Sequence, residues 1–163
     1  MEILWAPWRM EYVSKESKKG CFLCEALKKE DGEENLILFR GNFAFVIMNR
    51  FPYNNGHLMI APLKHKGELE ELDEEELKEI FSLSQYAVKI LKKIYQPQGF
   101  NLGINLGKCA GAGLIEHLHL HILPRWEGDT NFMPTLSKTK VIPESLSSVY
   151  GKLSPFFKKL KEL

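Results

Sequence analysis

The run Glu116-His117-Leu118-His119-Leu120-His121-Ile122-Leu123 alternates imidazole with branched hydrocarbon. A β-strand turns successive side chains to opposite faces, so the pattern predicts a strand over 115–123 with His117, His119 and His121 on one face. Leu118, Leu120 and Ile122 then anchor the other face in a core. Alternate Cα atoms of a strand lie roughly 6.6 Å apart, which separates His117 from His121 by roughly 13 Å. Metal–nitrogen bonds of about 2.0–2.1 Å cannot join all three rings to one ion, although two neighbours can share one. A purely structural role is disfavoured, because each buried imidazole needs its own partner. The spacing suits an extended polar ligand such as a phosphate chain, with a nucleophile at its centre.

Upstream, Gly107-Lys-Cys-Ala-Gly-Ala-Gly113 reads as a glycine-rich loop and 100–106 as the strand before it; downstream, Pro124 ends the histidine strand. Three more strands are predicted over 36–39, 43–48 and 57–61, the first two joined by a gap short enough for a hairpin. The clearest helix begins after Asp73, which can cap it with Glu76 three residues on. It carries Leu77, Ile80, Phe81, Val88, Leu91 and Ile94 at helical spacing up to Pro97. Residues 21–30 start a short helix, and the tail from Pro143 predicts another, interrupted at Pro155. Strands that meet as hairpins and then enclose a helix predict an antiparallel α+β architecture.

The chain has 163 residues, 44% of them hydrophobic, which suits one domain with a proper core. Its expected parts are an irregular aromatic arm over 1–20, a catalytic core over 21–132 and a C-terminal extension over 133–163. Trp5, Trp8, Met10 and Tyr12 of the arm are expected to pack on the body or on a partner subunit. A net charge of +1 excludes an overall field for nucleic acid or anionic membrane, so affinity for phosphate must be local. The apolar stretches are strand-sized and the start, MEILWAPWRMEY, is broken by charges; a cytoplasmic protein without a membrane span is expected. Three cysteines argue against a disulfide framework, and Cys21-x-x-Cys24 reads as a redox pair, half a metal site or chance. Cys109 is read as a small loop residue.

His117-Leu-His-Leu-His121-Ile-Leu resembles the signature of the histidine triad (HIT) superfamily. Asn49, Pro52 and Asn55-Gly-His57-Leu-Met-Ile-Ala-Pro62 resemble the family's upstream segment, and Ala110-Gly111-Ala112-Gly113 resembles its glycine loop. Leu4-Trp-Ala-Pro-Trp-Arg-Met10, Cys21-Phe-Leu-Cys24 and His121-Ile-Leu-Pro-Arg-Trp-Glu-Gly-Asp-Thr-Asn-Phe132 look like the bacterial diadenosine tetraphosphate phosphorylase branch. The resemblance implies a HIT-like α+β fold of roughly five antiparallel strands, a long helix and a helical tail. It further implies homodimers whose sheets join.

The implied chemistry is cleavage of nucleotide phosphoanhydrides, with dinucleoside polyphosphates as substrates. A neutral imidazole is a competent nucleophile near pH 7, and His119 is the candidate for attack on the α-phosphorus to give a nucleotidyl-histidine. His121 would donate hydrogen bonds to phosphate oxygens, with main-chain groups around Gly113 and Leu114 assisting. Asn49 and Asn105 match polar positions that face the nucleotide, and His57 matches a position near the sugar or the triad. Arg125 either contacts phosphate or pairs with Glu127 or Asp129. The resemblance also implies structural zinc on Cys21, Cys24, His65 and His117, which would make His117 a ligand instead of a catalytic residue; magnesium would arrive with the polyphosphate. The glycine loop offers Ala112 or Gly113 where many hydrolases of the fragile histidine triad branch carry Gln, so phosphate stays open beside water as second nucleophile. The competing classes are a nucleotide-binding module, a nucleoside phosphoramidate hydrolase and a metal-storage protein; His121 disfavours a uridylyltransferase, whose motif ends in Gln.

Overall fold

The computed structural model of the chain describes residues 20–129 and 142–160. The aromatic residues of the arm lie outside the described residues, as do 130–132 and most of the loop before the tail. The described strands are β1 (Ile37–Arg40), β2 (Ala44–Met48), β3 (Leu58–Pro62), β4 (Gly99–Ile104) and β5 (Leu120–Arg125). They form one antiparallel sheet in the order β1-β2-β3-β5-β4. The helices are α1 (Phe22–Leu27), α2 (Glu74–Tyr95) and α3 (Leu146–Leu160). The expected antiparallel α+β architecture is the one found.

β2 and β3 are unbroken apolar runs, and every residue in both is buried, as central strands covered on both faces require. The predicted cap of α2 is present. Asp73 accepts from the Glu76 N–H and Glu76 accepts from the Asp73 N–H, each at 2.9 Å. Glu76 is wholly buried and would be costly alone; Lys66 Nζ lies 2.6 Å from its carboxylate. Lys66 also accepts the Leu118 N–H on its main-chain oxygen at 2.7 Å, so the cap of α2 and the entry to the histidine run share one anchor. α2 ends at Gln96 in the left-handed conformation, before Pro97.

Three expectations are corrected. Pro124 does not end the histidine strand: β5 runs through it to Arg125, and β4 pairs with both residues. The histidine strand begins at Leu120, not at residue 115, and His117 to His119 form the irregular approach to it. The Leu118 N–H is spent on Lys66, outside the sheet, which leaves this segment no ladder partner ahead of Leu120. The tail helix is also not interrupted: α3 runs through Pro155. Burial of Val149, Leu153 and Phe157 contributes about 1.5–3 kcal/mol each and outweighs the roughly 3 kcal/mol cost of an internal proline. Glu144, just before α3, ties the tail to the body by accepting from Asn55 Nδ2 (3.1 Å) and the Tyr95 hydroxyl (3.0 Å) and by pairing with Lys152.

Candidate active site

Alternation along β5 sets the site. Leu120 and Ile122 face the core with Pro124, whose ring meets Leu91 of α2 around Gly56; a Cβ on that glycine would lie 3.1 Å from Leu91 and 3.3 Å from Pro124. His121 points to the opposite face, paired in register with Met59 of β3. There, an open cleft of about 180 Å³ is lined by His119, His121, Asn49, Met59, Gly111 and Gly113, with Phe22, Arg50, Phe51 and Tyr53 on its remaining sides.

The three triad histidines have different hydrogen-bond partners, and each partner assigns a tautomer. His119 Nδ1 lies 2.9 Å from the His117 carbonyl oxygen. A carbonyl only accepts, so Nδ1 carries the proton and Nε2 keeps its lone pair. Burial holds this imidazole below its ordinary pKa, which keeps it neutral at pH 7. His121 is set the other way through His57. The Tyr53 N–H donates to His57 Nδ1 at 3.1 Å, so the proton of His57 is on Nε2 and is donated to His121 Nδ1 at 2.9 Å. His121 therefore carries its own proton on Nε2. One ring offers a lone pair and its neighbour an N–H, with ring centroids 4.8 Å apart.

His117 does not line the cleft. It is fully buried, donates from Nε2 to the Pro62 carbonyl at 2.9 Å, and turns Nδ1 toward Cys21 Sγ (3.3 Å) and Cys24 Sγ (3.5 Å). His65 Nδ1 lies 3.3 Å from Cys24 Sγ, and the four ligand atoms all fall within 4.8 Å of one another. Tetrahedral zinc, with bonds of about 2.3 Å to sulfur and 2.0 Å to nitrogen, sets a sulfur–nitrogen edge of about 3.5 Å, so the cluster fits such an ion. Burial pushes the Cys21 thiol up to about 11, so its thiolate form needs a cation beside it. Burial also lowers the pKa of His117, which favours the neutral ring a metal requires.

Among the other sequence-predicted residues, Asn49 and Gly113 line the cleft and His57 supports His121 from behind. The Asn49 side chain also closes its own loop by accepting the Phe51 N–H at 2.9 Å. Asn105, Leu114 and Arg125 are not part of the lining. Leu114 packs on the core, and Arg125 is forked onto Asp129 at 2.6 and 3.0 Å and donates to Asn101 at 2.6 Å. Of the two readings of Arg125, the ion pair is the one present, because the turn after β5 brings Asp129 back beside it. Sequence reasoning missed Phe22, Phe51 and Tyr53. Phe22 had a signal, since it stands inside the Cys-x-x-Cys pair; the other two sit in a loop without periodicity.

The family model for the HIT domain matches residues 31–128. An AP-4-A phosphorylase of Mycobacterium tuberculosis is 38% identical over 90% of this chain and 79% of its own length. A histidine triad nucleotide-binding protein from Sulfolobus tokodaii superposes with a TM-score of 0.68 at 26% identity, over 86% of this chain and 94% of that one. A Zn-bound histidine triad family protein from Mycobacterium smegmatis has the same fold, with a TM-score of 0.67 at 19% identity over 88% of this chain and 96% of that one. The chain belongs to the HIT domain family. Within it, the similarity is to the AP-4-A phosphorylase branch of enzymes.

Proposed function

We propose that the protein cleaves dinucleoside polyphosphates of the diadenosine tetraphosphate kind by transfer of a nucleotidyl group through His119. The observation that carries this reading is the pair of opposite tautomers over one cleft: a lone pair on His119 Nε2 beside a proton on His121 Nε2. The lone pair attacks the α-phosphorus as the bond to the bridging oxygen breaks, leaving a nucleotidyl-histidine and nucleoside triphosphate. The leaving oxygen accepts a hydrogen bond from the His121 Nε2–H and departs as the nucleoside triphosphate anion, and His57 holds the His121 ring in that donating tautomer. Main-chain groups at Gly111 and Gly113 face the phosphates, where the lack of a side chain permits close approach. Phe22, Phe51 and Tyr53 offer apolar faces to a base. The second nucleophile is phosphate before water, a choice supported by the 38% identity to a phosphorylase and by a glycine loop without Gln.

Cys21, Cys24, His65 and His117 would hold zinc as a structural centre. Bound there, the ion supplies cross-linking and no open coordination position for substrate. Magnesium belongs to the polyphosphate. Free cysteines at a metal centre suit a reducing, cytoplasmic setting, and among the described residues no helix is long and apolar enough to cross a membrane. A second copy is proposed to join at β4, the edge of the sheet, where Leu102 is 47% exposed.

Incubation with diadenosine tetraphosphate, with and without phosphate, tests the reading by its products. ADP plus ATP is expected with phosphate; AMP plus ATP, or ADP alone, signals hydrolysis instead. Nucleotide binding with no product and no label on His119 marks a binding module and ends the enzymatic reading.

A further inference from the structure

Two residues join the cysteine–histidine cluster to the cleft, one a member of the cluster and one beside it. The first is His117. Its ring faces the two sulfurs, and its main-chain carbonyl is the acceptor that holds His119 Nδ1 at 2.9 Å. The residue that completes the cluster therefore also orients the nucleophile. The second is Phe22, which follows Cys21 directly and lines the cleft at 39% exposure. It opens α1, a helix of six residues, too short to persist without external tethers. The far end of α1 is tied by Asn35 Nδ2 to the Ala26 carbonyl (3.1 Å) and by Arg40 Nη1 to the Leu27 carbonyl (2.7 Å). At the near end the cap is Cys21 itself, which accepts the Cys24 N–H at 3.5 Å. The Cys21 thiol thus caps the turn that presents Phe22, and the Cys24 thiol joins the same turn to His65 and His117.

The approach to the histidine run is held from the same side. His65 precedes Lys66, whose carbonyl takes the Leu118 N–H, and Gly67 passes so close to this segment that a Cβ there would sit 2.7 Å from the Ile115 carbonyl oxygen. Three pieces of chain that shape the cleft or its nucleophile therefore converge on four ligand atoms.

We propose that the four-ligand centre and the nucleotide cleft are energetically coupled, so that zinc on Cys21, Cys24, His65 and His117 tightens the hold on a nucleotide through Phe22 and the His117 carbonyl. Linkage makes the effect reciprocal: the factor by which zinc raises nucleotide affinity is the factor by which nucleotide raises zinc affinity. A coupling of about 10-fold is expected, inside the usual range for two linked sites. The proposal rests on the cleft being the nucleotide site.

The test is competition for zinc between the full chain and a chromophoric chelator, with and without saturating AMP, in wild type and in Phe22→Ala. Phe22→Ala keeps all four ligands. Zinc is expected to bind about 10-fold more tightly with AMP in wild type and less than about 3-fold more tightly in the variant. Equal zinc affinity with and without AMP, in protein that binds AMP, overturns the coupling and leaves the cleft reading intact. Failure of the zinc-loaded protein to bind AMP overturns both. Equal coupling in wild type and Phe22→Ala overturns the helix route. Should the stripped chain unfold, cobalt(II)-loaded protein gives a second readout: its visible bands are expected to shift on AMP binding in wild type and not in Phe22→Ala, and bands unmoved in both overturn the proposal.

Discussion

His117 and His119 are two residues apart and meet opposite surroundings. The first is sealed among two sulfurs, a second imidazole and a carbonyl; the second faces an open cleft. The two rings are chemically identical, and burial lowers the pKa of both. What separates them is which nitrogen meets a carbonyl. His117 gives Nε2–H to Pro62 and turns its Nδ1 lone pair to the sulfurs, where the proposed metal would sit; His119 gives Nδ1–H to His117 and keeps the Nε2 lone pair, the proposed nucleophile. The role of a histidine is set by the group behind it as much as by the space in front.

That contrast can be broken most severely at His119. His119→Ala is expected to reduce turnover to below about 1% of wild type, measured by product formation from diadenosine tetraphosphate, with the far-UV circular dichroism unchanged. Activity above a few per cent in a folded variant removes His119 as nucleophile. Next comes the proton behind His121. His57→Phe keeps a ring of similar size but no donor to His121 Nδ1, and kcat is expected to fall about 10- to 100-fold with KM less affected.

On the sealed side, Cys24→Ser is expected to lower zinc content and melting temperature together, by about 5 °C or more, read by metal analysis and calorimetry. Unchanged metal content in that variant would falsify the four-ligand assignment. The histidine pattern, the cap of α2 and all four candidate metal ligands are legible along the chain, because each is a short-range pattern or a resemblance carried by a few residues. The length of the histidine strand is not. It depends on Lys66, far away in sequence, capturing the Leu118 N–H. The continuity of α3 through Pro155 is likewise a tertiary outcome, since local propensity argues for a break.

The Glu144 latch between the tail and the body gives the next smaller effect. Burial works against the charge of Glu144, but hydrogen bonds from Lys152, Ser148, Asn55 and Tyr95 outweigh it and bring the carboxyl down from 4.5 to about 2. A carboxyl held below its unfolded value stabilises fully above that value and loses its contribution as the pH falls toward the folded one. The stability advantage of wild type over Glu144→Gln, from urea midpoints, is therefore expected to be constant above about pH 5 and to shrink between pH 4.5 and 2. An advantage that grows on acidification contradicts the latch. The smallest change is expected at Arg125. Its guanidinium is committed to Asp129 and Asn101, so Arg125→Ala should alter nucleotide affinity by less than about 3-fold in a binding titration. A larger loss returns Arg125 to the phosphate site.

Local chemistry written along the chain determined the antiparallel α+β class, the triad and the glycine loop, and the family resemblance pointed to Cys21, Cys24, His65 and His117 as candidate ligands. Strand alternation and helix capping act over a few residues, and a family signature is carried by residue identity alone. Only the tertiary structure decided which ring nitrogen of His57, His117, His119 and His121 carries its proton, that Arg125 pairs with Asp129, and that Phe22 stands at the cleft beside the thiol that caps its helix. Some of those partners come from distant parts of the chain, as Pro62 does for His117 and His57 for His121; others, Asp129 for Arg125 and the His117 carbonyl for His119, are near neighbours that meet only because the fold sets the turn or bend between them. A hydrogen bond or an ion pair is chosen by distance in space, which no spacing along the backbone contains.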